Sequence, residues 1–496
     1  MDINRDLPLL FGTPGRAASA RALMWSFFVA GASTLCFSLT SFWPSLPYFW
    51  LMTVLIGLHG IVAVTSSGAN LLYVFRYFLI WILVWGAALV WALFPNEVYV
   101  APFGLEYQSL ANTQILVLAG ALALCGVSIG WTLATSGMAS ERPLFYLESD
   151  SRRRLQRIGG LMVIIFSALY VWKSGGFVGE GKAYADGQEG FDLEFGVFNV
   201  FHYIGVACLV LAAIQPRGFL SWPIVLAAGS LVMGILVGSR ADYLPQLFIL
   251  LLLLVNARIS MAIRILDLPR LLYWSLGILV ALGVGYLVAS YLAIWRTGLD
   301  PIEAWRFMQD NDRGSIISDV YGHKMLYFET GNMMLGGFYS AIVQVEQGIT
   351  GFLNGNSYFN YLLISPPSFL GLPRPEGLEL KTDLFGTVMS QGGIFEVAEA
   401  YWNFGFAGAF GVPCFISFFL GRVLVRGLVF RSYFYLVMFM VLGFMGFRAI
   451  WYQNFSYFRI LTIMLLLYGG ASIFAVWFVA HRERLPSGGT AQPYQD

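Results

Sequence analysis

Apolar runs long enough to cross a bilayer follow one another along nearly the whole chain, and that repetition leaves few folds open. A spanning helix needs about 20 consecutive apolar residues. Runs of this kind lie near 22–43, 47–65, 71–94, 113–135, 157–173, 197–214, 220–238, 241–256, 271–294, 402–424, 432–449 and 458–480. Charge is correspondingly scarce: 29 Lys+Arg and 28 Asp+Glu among 496 residues, or 11%, against roughly 25% in a soluble domain. That is too little to coat a water-facing surface. The 54 glycines and 17% aromatic residues suit close helix contact and aromatic belts at the membrane interfaces. The expected fold is an all-α polytopic membrane protein with about twelve transmembrane helices. A net charge of +1 excludes the electrostatic footprint of nucleic-acid binding. Four cysteines, each inside an apolar run without a partner at ligand spacing, suggest neither disulfides nor a metal site.

Orientation follows from where Lys and Arg fall in the short loops. With the N-terminus inside, Arg152, Arg153, Arg154 and Arg157, then Arg217, then Arg258, Arg264 and Arg270, then Arg422, Arg426 and Arg431 all fall inside, as do Arg482 and Arg484 near the end. The opposite loops are short or acidic. The predicted organisation is a cytoplasmic N-terminus (1–21), spans one to nine (22–294), a large outer loop with short helices (295–391), spans ten to twelve (392–480) and a cytoplasmic tail (481–496). A structureless loop of such length is unusual unless it is functional. Inside it, 331–348 reads as a short amphipathic or re-entrant helix, and Ser365-Pro366-Pro367 is expected to forbid regular helix beside it.

Ionisable groups at the mouth of a helical bundle are costly and point to function. Arg240 is expected in a tight hairpin, Val237-Gly238-Ser239-Arg240-Ala241-Asp242, where its guanidinium fork suits phosphate oxygens; the plain alternative is an ion pair with Asp242 or an interfacial position. Arg448 and Arg459 flank one short outer loop among Trp451, Tyr452 and Tyr457, and Arg296 opens the large loop. Glu396 and Glu399 are spaced i,i+3 in Glu396-Val397-Ala398-Glu399-Ala400-Tyr401-Trp402-Asn403-Phe404-Gly405. A helix starting there would put both carboxylates on one face near the outer mouth, with Tyr401 and Asn403 beside them. Acids in a first helical turn also complement the helix dipole. His323 and Asp319 in the large loop are further candidates for a general base, although a lone loop histidine is more often merely solvated. His59 and His202, inside spans, read as packing or interhelical hydrogen bonds.

The stretch from Gly392-Gly393 through Glu399, Tyr401, Trp402 and Asn403-Phe404-Gly405 to Gly408 is similar to the glutamate, aromatic, N-F-G signature of Wzy-type O-antigen and oligosaccharide repeat-unit polymerases. Gly238-Ser239-Arg240 resembles a G-S-R element of the same family, and the late outer loop matches its layout. The resemblance implies a GT-C-like, metal- and cofactor-independent glycosyltransferase of the bacterial inner membrane. Such an enzyme moves a glycan from one undecaprenyl-pyrophosphate carrier onto the repeat unit of another, on the periplasmic side, alongside a flippase and a chain-length regulator. By position, Arg240 would bind the pyrophosphate, and Glu399, Tyr401 and Asn403 would line the site. The residues allow the same roles: guanidinium groups, with Arg448, Arg459 and Arg296 in support, to receive a departing diphosphate, and Glu399, with His323 behind it, as general base. An O-antigen ligase and a flippase of lipid-linked oligosaccharides are the alternatives.

Overall fold

The apolar runs become helices, two of them capped at their first turn by a small polar residue. The structure, a computed structural model, describes residues 13–40, 45–66, 70–93, 98–99, 109–136, 149–174, 194–213, 222–236, 243–244, 246–247, 249–250, 291, 300–310, 317–320, 323–326, 329–369, 395–451 and 455–484. The first helices are α1 (Arg16–Ser38), α2 (Ser45–Thr65), α3 (Leu71–Leu93) and α4 (Leu110–Thr135). Asn70 caps α3, its side-chain oxygen accepting from Tyr73 N at 3.1 Å. Ser109 does the same for α4, accepting from Asn112 N at 3.1 Å, so each satisfies a backbone donor that the helix leaves open. Next come α5 (Ser149–Ser174), α6 (Glu194–Ala213) and α7 (Trp222–Leu236). The last long helices are α11 (Glu396–Val429), α12 (Tyr433–Trp451) and α13 (Phe455–Arg484). Among the described residues, α1, α2, α3, α4 and α11 are long and apolar enough to cross a membrane, and shorter apolar helices lie at Val200–Ala213, Trp222–Ile235, Tyr433–Gly446 and Ser456–Gly470. This is the build of a helical membrane protein.

At the centre is α4, buried along almost its whole length. It lies against α11 so closely that a Cβ on Gly126 would come within 2.3 Å of Phe410 O, and one on Gly130 within 2.0 Å of Cys414 O. Glycines four residues apart on α4 therefore remove the side chains that would hold the backbones apart. Gly421 completes the row, its missing Cβ facing Ala134. Because residues 126, 130 and 134 of α4 meet 410, 414 and 421 of α11 in ascending order, the two helices run parallel. On the other side α3 crosses α4 antiparallel, with Val84 against Gly120 and Tyr73 stacked on Trp131. A second group, α5, α6 and α7, packs through Gly159 and Gly205, and α6 joins it to the first group through α12.

The large loop has secondary structure of its own. It contains the amphipathic α8 (Pro301–Asp310), a hairpin of β2 (Ile317–Val320) and β3 (His323–Leu326), and helices α9 (Glu329–Glu346) and α10 (Asn356–Phe369). A two-residue strand from the α3–α4 connection, β1 (Val98–Tyr99), pairs in parallel with β3. The helix expected within 331–348 is α9. Against expectation, Pro366 and Pro367 stand inside α10. They occupy its final turn, where the missing N–H groups interrupt the hydrogen-bond ladder only as the helix is ending.

Candidate functional site at the reversal of α11

Phe404 (φ −140°, ψ 15°) and Gly405 (φ 62°, ψ −148°) are not helical, so α11 consists of two limbs. Gly405 lies in a region of backbone space open essentially only to glycine. The break is a reversal. A Cβ on Gly408 would come within 2.1 Å of Ala400 O, whereas residues eight apart in a straight helix are separated by about 12 Å. Arg76 reports the same geometry, since it donates to both Glu396 and Ser417, positions that a continuous helix would set about 31 Å apart. The first limb, 396–403, thus folds back along the second.

This corrects the arrangement expected for the paired carboxylates. Glu396 and Glu399 do not face a common mouth. Glu396 lies at the far end of the first limb, fully buried, and meets Arg76 of α3 through Nη2–Oε1 at 2.5 Å and Nη1–Oε2 at 3.0 Å. Arg76 Nη1 also donates to Tyr457 Oη at 2.7 Å and Nε to Ser417 Oγ at 3.3 Å. The guanidinium lies 5.8 Å from the centre of the Tyr457 ring. Opposite charges and phenolic and hydroxyl oxygens thus satisfy one another inside the bundle, where an isolated charge would be prohibitive. This network ties α3, both limbs of α11 and α13 together. Its sequence signal is Arg76 itself, the one charged residue in the 23 positions of α3.

Glu399, one turn along and also fully buried, turns to the large loop instead. Ser357 Oγ donates to Glu399 Oε1 at 3.0 Å, and the buried Tyr361 phenol lies beside the same carboxylate. Asn403 completes the arrangement: its Nδ2 donates to Ser357 Oγ at 2.9 Å and to Glu399 O at 2.8 Å, and its Oδ1 accepts from Gly355 N at 3.0 Å. The reversal leaves main-chain carbonyls at the end of the first limb without helical partners. Leu353 N and Asn354 N supply them, donating to Trp402 O and Asn403 O at 3.0 Å each. Tyr401 Oη donates to Glu346 Oε1 at 2.8 Å and Trp402 Nε1 to Thr350 Oγ1 at 3.0 Å. Each residue of Tyr401-Trp402-Asn403 therefore reads a successive part of 346–357. That segment curls around them through positive φ at Gly348, Gly351, Asn354 and Gly355, conformations natural to glycine and asparagine. Phe404 closes the cluster by stacking on Tyr358.

Chemically, the Glu399 centre offers a carboxylate held by a serine hydroxyl, which an asparagine amide holds in turn, roofed by the 346–361 segment. The sequence singled out Glu399, Tyr401 and Asn403, and the structure brings these together; Ser357, Glu346 and Arg76 were missed. Arg448, in the last turn of α12, and Arg459, in the first turns of α13, are both half-buried and engaged by neighbouring groups, and they flank the connection between those helices as expected. His323 opens β3. Arg240 and Arg296 lie outside the described residues. His59 behaves as an interhelical link, with Nε2 and Ser26 Oγ 3.0 Å apart and Nδ1 and Tyr77 Oη 2.5 Å apart. His202 is buried edge-on to Tyr243. A scan of protein-family models and searches of curated proteins and solved structures find no match to this chain.

Proposed function

We propose that this protein is a bacterial inner-membrane glycosyltransferase of about twelve GT-C-like spans. It polymerises undecaprenyl-pyrophosphate-linked oligosaccharide repeat units into a surface polysaccharide, on the periplasmic side, and releases undecaprenyl pyrophosphate. One observation carries the reading. The residues on which the family resemblance rests, Glu399 to Gly405, form a single structural unit with the large loop rather than an ordinary helix start. The topology is supported by two pairings. β1, after the third predicted span, pairs with β3 in the large loop, which requires both on one side. α4 and the second limb of α11 run parallel, as a fourth and a tenth span must. The Lys and Arg bias of the short loops then assigns both termini to the cytoplasm.

In this reading Arg240 receives the departing diphosphate, with Arg448, Arg459 and Arg296 adding positive charge to the same face. Glu399 serves as base in a state where the Ser357 contact has opened; in the closed arrangement it holds the loop segment. Tyr401 and Asn403 position that segment, and His323 is the next candidate base. The flippase alternative calls for charges at the bundle centre that engage cargo. The deep pair, Arg76 with Glu396, instead bonds to itself and to Tyr457 and Ser417 of the protein. The ligase alternative shares the donor and differs in the acceptor.

The roles of Glu399 separate in vesicles reconstituted with synthetic lipid-pyrophosphate repeat units. Wild type is expected to give a product ladder. As base, Glu399→Gln lowers turnover by about 10²–10⁴-fold, while Ser357→Ala leaves most activity. Equal losses in the two variants would make Glu399 a positioning residue, and unchanged turnover in Glu399→Gln would move the base to the large loop.

A further inference from the structure

From position 349 to 369 the chain carries no Asp, Glu, Lys, Arg or His across 21 residues, in the middle of a loop expected to face water. The structure gives that gap a shape. One face of α10 is buried: Ser357, Tyr361 and Ile364 turn inward, to Glu399 and to Phe458 of α13. On the opposite face Phe359, Leu362 and Leu363 are 58%, 53% and 40% exposed. Phe404, stacked on Tyr358, is exposed as well, as are Ile349 and Phe352 in the preceding turn. Large apolar side chains gathered this way on a water-facing helix are unfavourable.

We propose that α10 lies at the hydrocarbon edge of the bilayer, with Phe359, Leu362 and Leu363 against the acyl chains of membrane lipids, so that one helix separates the Glu399 centre from lipid. Two comparisons within the molecule identify the occupant. α10 packs on α13 through Phe458, at the start of the apolar segment Ser456–Gly470, whose Leu465 and Leu466 are equally apolar and exposed, so α10 lies beside a helix apolar enough to enter the membrane. On α8, by contrast, exposed Ile302 and Trp305 alternate with exposed Glu303 and Arg306, the pattern of a helix in contact with water. α10 has no such charges. Up to its last turn the helix satisfies its own backbone, and Ser357 on the inner face is hydrogen-bonded to protein. Pro366 and Pro367 leave the carbonyls of Leu362 and Leu363 without a helical donor, which places that end of α10 at the level of the headgroups, where water reaches it. The inference requires a membrane protein but no particular reaction, so its failure would leave the polymerase reading standing.

The test is collision accessibility of a nitroxide in the full chain, reconstituted in phosphatidylcholine–phosphatidylglycerol vesicles. Cys36, Cys125, Cys208 and Cys414 are replaced by alanine, and single labels are placed through Phe359→Cys or Leu363→Cys. Leu466→Cys on α13 serves as the lipid reference and Glu303→Cys on α8 as the aqueous one. The labels at 359 and 363 are expected to collide with oxygen several-fold more than with a water-soluble nickel chelate, as at 466. Preference for the nickel chelate, as at 303, would place α10 in water and overturn the proposal. Exclusion of both reagents would also overturn it: spin–spin broadening relieved by dilution with unlabelled protein would then identify a second copy as the occupant, and its absence a cover within the chain.

Discussion

Arg240→Ala is expected to fold normally and to lose polymerisation by about 10²–10³-fold, the loss found when one preorganised donor to a developing anion is removed. The reason lies in the leaving group. Breaking the anomeric C–O bond leaves two phosphates' worth of negative charge on the lipid, and a guanidinium fork matches the spacing of phosphate oxygens. Arg240→Lys keeps the charge and loses the fork, so it should recover only part of the activity. The position stands between Ser239 and Ala241, where two apolar runs meet in the sequence. Turnover of lipid-pyrophosphate repeat units in vesicles, read beside thermal unfolding in detergent, checks both halves. Wild-type turnover by Arg240→Ala would remove the diphosphate assignment.

The largest expected effect on stability falls on a different arginine. Arg76→Met leaves the Glu396 carboxylate buried without its cation, at a cost of about 3–5 kcal/mol, a large share of the about 5–15 kcal/mol that holds an ordinary protein folded. Arg76→Met combined with Glu396→Leu should regain most of that loss, because an apolar pair of similar volume avoids the desolvation that the ion pair has to overcome. The double variant should still weaken the fold-back of α11, since Ser417 and Tyr457 lose their shared partner. Thermal unfolding of the two single variants and the double variant measures the coupling directly. Additive losses would mean that the pair does not lock the reversal.

How much of this could be read from the sequence depends on whether a feature is local. Apolar runs announce helices because their length alone decides the matter, and all four long apolar runs before 136 appear as helices. The residues of the Glu399 site were also visible, as a glutamate, aromatic and asparagine cluster ending in glycine. Their arrangement was not. Helical periodicity puts Glu396 and Glu399 on one face, and only the conformation of Phe404 and Gly405 sends the limb back into the bundle. Once it is there, Glu396 meets an arginine 320 positions away, a pairing that no local pattern encodes. Arg76 was legible as a lone charge in an apolar helix, which is costly unless paired, but its partner was not. Ser357 was missed for a related reason: a serine in an uncharged loop helix carries no signal until Glu399 and Asn403 fold against it. Pro366-Pro367 misled because proline marks the end of a helix without fixing on which side of it the last turn closes.

If the protein is a polymerase, a lipid diphosphate leaves as each glycosidic bond forms, and the direct measurement is its release. Purified wild-type protein in vesicles, supplied only with undecaprenyl-pyrophosphate-linked repeat units, should liberate one undecaprenyl pyrophosphate for each linkage added to the growing glycan. Labelled oligosaccharide crossing the bilayer with no diphosphate released would contradict the account and make the protein a carrier; release that begins only when a lipid A-core acceptor is added would make it a ligase.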